Sequence, residues 1–126
     1  SIDVRFRDLD AMGHVNNAVY ASYLESARND LFQEALDVTL DSVNTVLAHL
    51  SMDFQHEIRI DDEVTIDLWV ADVGSSSLTI DYEVYANDVL SATATSVQVL
   101  MDDDLETAIP IPNDWKRAFE PWHTPA

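Results

Sequence analysis

The chain has 126 residues, of which 47% are hydrophobic, and 24 acidic residues against six basic ones give a formal net charge of −18. This length suffices for one domain with a real core, and the apolar content argues against a disordered acidic tail. So many carboxylates repel phosphate groups, which argues against a nucleic-acid-binding protein.

The basic residues are mainly arginines, and Lys116 is the single lysine. An acidic, lysine-poor composition is typical of proteins that work in molar salt, where the Debye length falls to about 3 Å and like charges repel each other less. The sequence therefore predicts a halophilic protein. The other interpretation is an acidic protein from a low-salt organism.

The chain has no cysteine, which excludes disulfides, thiolate catalysis and cysteine-based zinc sites. Its apolar runs are too short to span a bilayer, and no basic segment followed by an apolar one opens the chain. We therefore expect a cytoplasmic protein without membrane insertion.

The first third of the chain predicts a strand, a loop and a helix. Residues 2–8 alternate apolar and polar side chains, as in a half-buried strand, and residues 9–16 form a loop around Gly13. Asn16 is a suitable N-cap for a helix over residues 17–35. The apolar side chains of that helix recur at helical spacing and form one stripe: Tyr20, Tyr23, Leu24, Ala27 and Leu31.

Four further strands are predicted by period-two alternation near residues 46–54, 64–70, 78–84 and 90–101. Polar or glycine-containing turns separate them at Asp61-Asp62, Gly74–Ser77 and Asn87-Asp88. The proline-punctuated tail, 110–126, leaves room for one short helix near 113–119.

The order of elements is β-α-β-β-β-β within one domain, 1–126. Short turns make the last four strands antiparallel neighbours, and the helix must bury its stripe on one face of that sheet. We therefore predict an α+β hot-dog fold, with about five antiparallel strands wrapped around one long helix. Trp69, Tyr85 and Leu100 are expected on the face away from the helix, where subunits could meet.

The segment from Phe6 to Arg28 resembles the signature of the 4-hydroxybenzoyl-CoA thioesterase-like branch of hot-dog proteins. The shared features are an aspartate, a short loop with a glycine, His-Val-Asn-Asn at the helix start, and a tyrosine pair followed by Glu-x-Ala-Arg. Three later segments agree mainly in strand order: Ile58–Val64, Ser76–Val84 and Ile109–Pro112. The resemblance implies an acyl-CoA thioesterase that needs no cofactor, since coenzyme A is part of the substrate.

The resemblance also implies a catalytic carboxylate at Asp10, as nucleophile or general base, and an oxyanion contact from the backbone N–H of Asn17. Asp8 is the competing carboxylate, for which a structural role is the better interpretation. Asp8 and Asp10 have only His14 nearby as a further ligand, so we expect no metal.

The predicted substrate-binding residues are Gly13, His14, Val15, Asn16, Tyr20, Arg59, Ser76 and Ser77. Gly13 allows a sharp turn and a close approach of the substrate, although it also fits an ordinary turn. Arg59 is the candidate contact to the phosphates of coenzyme A. The other interpretation is a surface arginine that offsets its acidic neighbours.

Glu25 and Arg28 are three residues apart on the predicted helix, and a surface ion pair is the expected arrangement. Three histidines, His49, His56 and His123, are expected to be structural.

The resemblance implies a homodimer or homotetramer with the acyl site between subunits. Two other functions stay open: an acyl carrier protein thioesterase, and an acyl-CoA-binding module without catalysis. The sequence does not specify the acyl group.

Overall fold

The computed structural model describes residues 2–4 and 17–123. The elements in chain order are β1 (Ile2–Asp3), α1 (Asn17–Leu36), β2 (Thr45–Phe54), β3 (Glu63–Val73), β4 (Ser77–Ala86), β5 (Val89–Leu100) and α2 (Asn113–Ala118). Single 3-10 turns lie at Leu40–Ser42 and Glu120–Trp122. The strands form one five-stranded antiparallel sheet in the order β1-β3-β4-β5-β2. The predicted α+β hot-dog fold is confirmed.

Helix α1 buries the predicted stripe against the sheet. Tyr20, Tyr23, Leu24 and Leu31 are all less than 5% exposed, and Phe32, next to Leu31, is fully buried and widens the buried face. The helix ends at a residue in the left-handed conformation, Asp37, whose N–H donates to the carbonyl of Gln33 at 3.0 Å. This is the αL type of C-cap, here formed by an aspartate instead of the usual glycine.

The central strand β4 shows most clearly how the sheet receives the helix. Its buried side chains alternate along the strand: Leu78, Ile80, Tyr82, Val84 and Ala86. The intervening residues are half-buried. Since successive side chains of a strand point to opposite faces, the buried set forms the inner face, which α1 covers.

Leu100 corrects one prediction about the outer face. Leu100 is 7% exposed and belongs to the core, so its expected position facing away from the helix is wrong. The inner face of β5 also carries Ser96 and Gln98, whereas its outer positions include Val97 and Val99. The hydrophobic pattern of β5 therefore does not reveal which of its faces is buried.

The C-terminal segment after β5 packs onto α1 and β3. The ring of Phe32 lies 6.1 Å from that of Trp115 and 5.9 Å from that of Phe119, measured between centroids. The side chain of His123 donates from Nδ1 to the carbonyl of Val70 at 2.9 Å. The short helix predicted near 113–119 is present as α2, and His123 has the structural role expected of it.

Strand β2 lies at one edge of the sheet. Among the described residues it pairs with β5 alone, and the apolar side chains of Val46, Leu47 and Phe54 are 37%, 45% and 44% exposed. Leu50 and Met52 are half-buried. An edge strand with exposed apolar side chains has unpaired backbone groups available for a further chain. Neither helix in the described part of the chain is long and apolar enough to cross a membrane.

Candidate active site

Several predicted site residues fall outside the described residues: Asp10, Gly13, His14, Val15 and Asn16. The competing carboxylate, Asp8, falls there too. The described part of the predicted site consists of the helix start at Asn17, together with Tyr20, Arg59 and the pair Ser76-Ser77.

Helix α1 is described from Asn17, the first residue after the undescribed segment, and runs for 20 residues to Leu36. The predicted N-cap, Asn16, lies outside the described residues. The first N–H groups of a helix have no acceptor within the helix, and the aligned peptide dipoles make this end positive. The first turn contains no acidic residue that would oppose this positive potential. The start of α1 can therefore stabilise a negatively charged oxygen.

Tyr20 fixes the first turn of α1 to the sheet. Its hydroxyl lies 2.8 Å from the Oγ of Ser91, which in turn donates to the carbonyl of His56 at 2.6 Å. Because the single proton of Ser91 is used in that second bond, the Tyr20 hydroxyl is the donor in the first. The ring of Tyr20 also meets the ring of Phe54 edge-on, with centroids 4.9 Å apart.

Burial raises the pKa of the Tyr20 phenol, although its hydrogen bond to Ser91 acts in the opposite direction. Tyr20 is therefore a neutral hydrogen-bond donor at physiological pH. Its position links the start of α1 to the C-terminal end of β2 and the N-terminal end of β5.

Arg59 lies on the turn before β3, where its guanidinium pairs with the carboxylate of Glu57. The backbone N–H of Arg59 donates to the carboxylate of Asp62 at 2.8 Å. The Arg59 side chain is 61% exposed. It is therefore accessible to a phosphate, but a ligand must compete with a carboxylate already bound to it.

Ser76 and Ser77 lie at the turn between β3 and β4, far from the start of α1. Ser77 pairs in register with Val99 near the end of β5, whereas Ala86 pairs with Val89 at its beginning. Tyr20 is bonded to Ser91, close to that beginning. The length of β4, ten residues, separates the two groups by roughly 30 Å. Within one chain they do not form one cluster.

Arg28 is the residue that the sequence interpretation misplaced. It is 4% exposed, and its Nη1 donates to the hydroxyl of Tyr82 at 3.1 Å. Glu25 is exposed whereas Arg28 is buried, so the predicted pair on the surface is wrong. The Tyr82 hydroxyl is also 2.6 Å from the Oγ of Ser96. A polar chain of Arg28, Tyr82 and Ser96 thus crosses from α1 to the inner face of the sheet.

Within residues 2–4 and 17–123, no three His, Asp or Glu side chains lie close enough together to hold a metal ion. The Asp8-x-Asp10 pair lies outside those residues.

The sequence model of the thioesterase-like superfamily matches residues 4–119. The chain belongs to the thioesterase-like superfamily. The match includes most of the segment that precedes α1 and strands β2 to β5, so it covers the predicted catalytic segment and nearly all of the sheet together. The prediction of a thioester hydrolase is confirmed at the level of this family.

Relatives of this thioesterase-like chain include two solved structures and a named hydrolase. A thioesterase from Thermus thermophilus, solved as a complex with coenzyme A and zinc, is 34% identical with a TM-score of 0.89, covering 97% of this chain and 90% of that one. A predicted thioesterase from Bacillus stearothermophilus is 26% identical with a TM-score of 0.88, covering 96% of this chain and 92% of that one. The 1,4-dihydroxy-2-naphthoyl-CoA hydrolase of Nostoc punctiforme is 27% identical, with 88% of this chain and 78% of that protein covered.

Proposed function

We propose that this thioesterase-like chain is an acyl-CoA thioesterase, which hydrolyses a coenzyme A thioester to a carboxylic acid and free coenzyme A without a cofactor. The observation that carries the proposal is helix α1, described from Asn17 onward, within a family match that includes the predicted catalytic segment. A solved thioesterase relative holds coenzyme A, and another relative is named as a hydrolase of a CoA thioester. Both support coenzyme A as the leaving group.

In the proposed reaction, Asp10 acts on the thioester carbonyl in one of two ways. Its carboxylate attacks the carbonyl carbon and the thiolate leaves, giving a mixed anhydride that water hydrolyses, or it takes a proton from a water molecule that attacks instead. Either route places negative charge on the carbonyl oxygen. The N–H of Asn17 and the positive end of α1 stabilise that oxygen.

Replacing Asp10 by asparagine tests the central claim. We expect Asp10→Asn to lower kcat by at least about 100-fold, because it removes the nucleophile or base but keeps the size of the side chain. The measurement is hydrolysis of a panel of aromatic and aliphatic acyl-CoA substrates in molar sodium chloride. Asp8→Asn is the matched control, and we expect it to retain activity within tenfold.

Two results would contradict this assignment. Full activity in Asp10→Asn removes Asp10 from the mechanism. A loss confined to Asp8→Asn transfers the catalytic role to the other carboxylate.

The two other functions make different demands on the chain. A carrier-protein thioesterase needs a basic docking surface, and only Arg59, Lys116 and Arg117 are exposed cations among the described residues. This charge distribution favours coenzyme A over a carrier protein. A binding module without catalysis is indicated instead if the wild-type protein hydrolyses none of the thioesters.

The protein is further proposed to act in the cytoplasm at high salt, as a homodimer or homotetramer with its site between subunits. The separation of Tyr20 from Ser76 and Ser77 supports a shared site, since one chain does not bring these residues together. The exposed apolar side chains of β2 support association through that edge.

A further inference from the structure

The outer face of the sheet is the face turned away from α1, and no described element covers it. Its side chains on β4 include Asp81, Glu83 and Tyr85, which are half-buried and alternate with the buried inner residues. Both helices lie on the other side of the sheet, since α1 covers the inner face and Trp115 of α2 packs on Phe32 of α1. The outer face is therefore open to another molecule.

The pairing register places carboxylates of three strands in one row across this face. Glu83 of β4 lies directly opposite Asp67 of β3. On its other side Glu83 lies opposite Thr93 of β5, which lies opposite Asp53 of β2. Like charges directly opposite each other on neighbouring strands destabilise a sheet. A cation bound to this row would relieve that repulsion.

The next row of the outer face contains a tryptophan. Trp69 of β3 lies directly opposite Asp81 of β4, and both are half-buried. The Oγ1 of Thr95 donates to the Asp81 carboxylate at 2.8 Å and fixes its orientation. The two rows border a depression of about 290 Å³, whose lining includes Trp69, Asp81, Glu83 and Asp53. One indole and three carboxylates thus surround the same outer-face depression.

The cations of the described part of the chain lie elsewhere. Arg28 is buried beneath α1, Arg59 lies on the turn before β3, and Lys116 and Arg117 belong to α2. A second copy that packed on this face through its own outer face would set carboxylates against carboxylates, which is unfavourable. The charge therefore argues against the predicted subunit contact at Trp69 and favours a basic partner.

The chemistry of the depression suits arginine better than lysine. A guanidinium can stack on the face of an indole and can bond a carboxylate through two parallel N–H groups. The ammonium of lysine is a compact, strongly hydrated charge that lacks this planar geometry. Molar salt screens attraction over longer distances, so direct contacts of this kind decide the binding.

We propose that the outer face of the sheet binds an arginine-bearing segment of a partner polypeptide. One guanidinium stacks on Trp69 and pairs with Asp81, and a second pairs with Asp53. Strands β4 and β2 are separated by β5, hence by about 10 Å, which three residues of an extended peptide can span. Two carboxylate positions so far apart call for two linked cations, as a polypeptide provides. Binding at this face does not involve Asp10, so its test is independent of thioester hydrolysis.

Synthetic peptides test the proposal on the purified wild-type protein. The probe is the capped hexapeptide Gly-Arg-Gly-Gly-Arg-Gly, compared with its lysine counterpart and with acetylarginine amide. We expect the arginine peptide to bind at least about fivefold more tightly than the lysine peptide, because only arginine stacks and pairs at once. We expect it to bind at least about tenfold more tightly than acetylarginine amide, because its two contacts are linked. The measurement is isothermal titration calorimetry at constant sodium chloride.

Three variants assign the binding to the outer-face depression. Trp69→Leu keeps an apolar side chain but removes the stacking surface, and we expect it to weaken binding of the arginine peptide at least about fivefold and to remove the preference over lysine. Asp81→Asn is expected to weaken binding about threefold. Asp104→Asn removes one negative charge from the exposed loop after β5 and is the matched control, expected to bind as wild type does.

Several results would overturn the proposal. Equal affinities for the arginine and lysine peptides, or for wild type and Trp69→Leu, remove the stacked arginine. Equal losses in Asp81→Asn and Asp104→Asn indicate general attraction to an acidic surface. Acetylarginine amide binding as tightly as the peptide indicates a small cation as the ligand. A smaller assembly for Trp69→Leu than for wild type, by light scattering, assigns the face to a second copy. If circular dichroism shows that Trp69→Leu does not fold, Asp81→Asn and its control decide the question.

Discussion

At the scale of single residues, the buried phenol of Tyr82 makes the stability of the protein decrease at alkaline pH. Burial raises the pKa of the Tyr82 phenol above its usual value of 10.0, while the charge of Arg28 and the hydrogen bonds with Arg28 and Ser96 act in the opposite direction. In the unfolded chain the phenol ionises near its usual pKa, whereas in the folded protein it keeps its proton. The unfolded state therefore binds fewer protons than the folded state above about pH 10, and stability falls there.

We expect the urea midpoint to be constant from pH 7 to 9 and to decrease above pH 10. Each buried tyrosine with a raised pKa lowers the free energy of unfolding by at most about 1.4 kcal/mol per pH unit in this range. Tyr82→Phe should reduce the slope above pH 10 without removing it, because burial also raises the pKa of Tyr20. Equal slopes for the variant and wild type would contradict this role of Tyr82.

The residues of the candidate site differ in how far the sequence could predict them. The burial of Tyr20 follows from a helical stripe and is confirmed, whereas the predicted N-cap, Asn16, lies outside the described residues and stays a prediction. Arg28 could not be placed in this way, because its spacing from Glu25 is that of an ordinary surface pair. Its burial depends on Tyr82, a partner 54 positions away in sequence.

At the scale of elements, the turn between β4 and β5 is also bonded to the beginning of β3. Asn87 and Asp88 have φ angles of 50° and 66°, both positive, as in a type I′ turn. The Asn87 side chain accepts a hydrogen bond from the N–H of Glu63 at 2.9 Å and donates one to Asp62 at 2.8 Å. The turn thereby holds the beginning of β3.

Asn87→Ala removes both side-chain bonds and places alanine at a positive φ. We expect it to lower the free energy of unfolding by about 1–3 kcal/mol, measured by urea denaturation. Asp88→Gly is the matched control in the same turn. Glycine tolerates this conformation, so that variant should be as stable as wild type or more stable. Similar losses in both variants would indicate that the side-chain bonds of Asn87 are unimportant.

The boundaries of the long elements could be predicted well from periodicity, but their faces could not. Helix α1 and strands β2 to β5 begin and end within a few residues of the predicted positions. The burial of Leu100 was missed because the inner face of β5 holds Ser96 and Gln98. Polar residues at these positions can be assigned to the inner face only when the positions of their buried polar neighbours, Tyr82 and Arg28, are known.

At the scale of the whole molecule, the net charge of −18 predicts a stability that depends on salt. Salt screens the repulsion between carboxylates, which otherwise destabilises the compact state. We expect Tm to rise by at least about 4 °C between 0.1 and 2 M sodium chloride, a shift that corresponds to about 1 kcal/mol.

A charge-reduced variant provides the control. Asp104 and Glu106 are exposed in the loop after β5, and Asp104→Asn with Glu106→Gln changes the net charge by two, from −18 to −16. The dependence of Tm on salt should be weaker in this variant. A Tm that is independent of salt would contradict the halophilic interpretation.

Subunit mixing tests whether two chains share one active site. Asp10→Asn and Ser76→Trp are expected to be inactive separately, because one loses the carboxylate and the other blocks the predicted acyl site. In a shared site, a mixed dimer has one intact site, so random mixing should recover roughly a quarter of wild-type activity. Recovery is measured after the two variants are co-refolded in equal amounts, and light scattering confirms the assembly. No recovery from a folded mixture would place the whole site within one chain.

Helix α2 carries Lys116, the single lysine of the chain, and this residue is exposed. A reagent selective for amines therefore modifies one side chain, in addition to the amino terminus. Lys116 lies outside the lining of the pocket formed by the middle of α1, the start of β2 and the end of β5. A fluorophore attached to Lys116 therefore leaves that pocket free. It can report the association of subunits, because a larger particle tumbles more slowly.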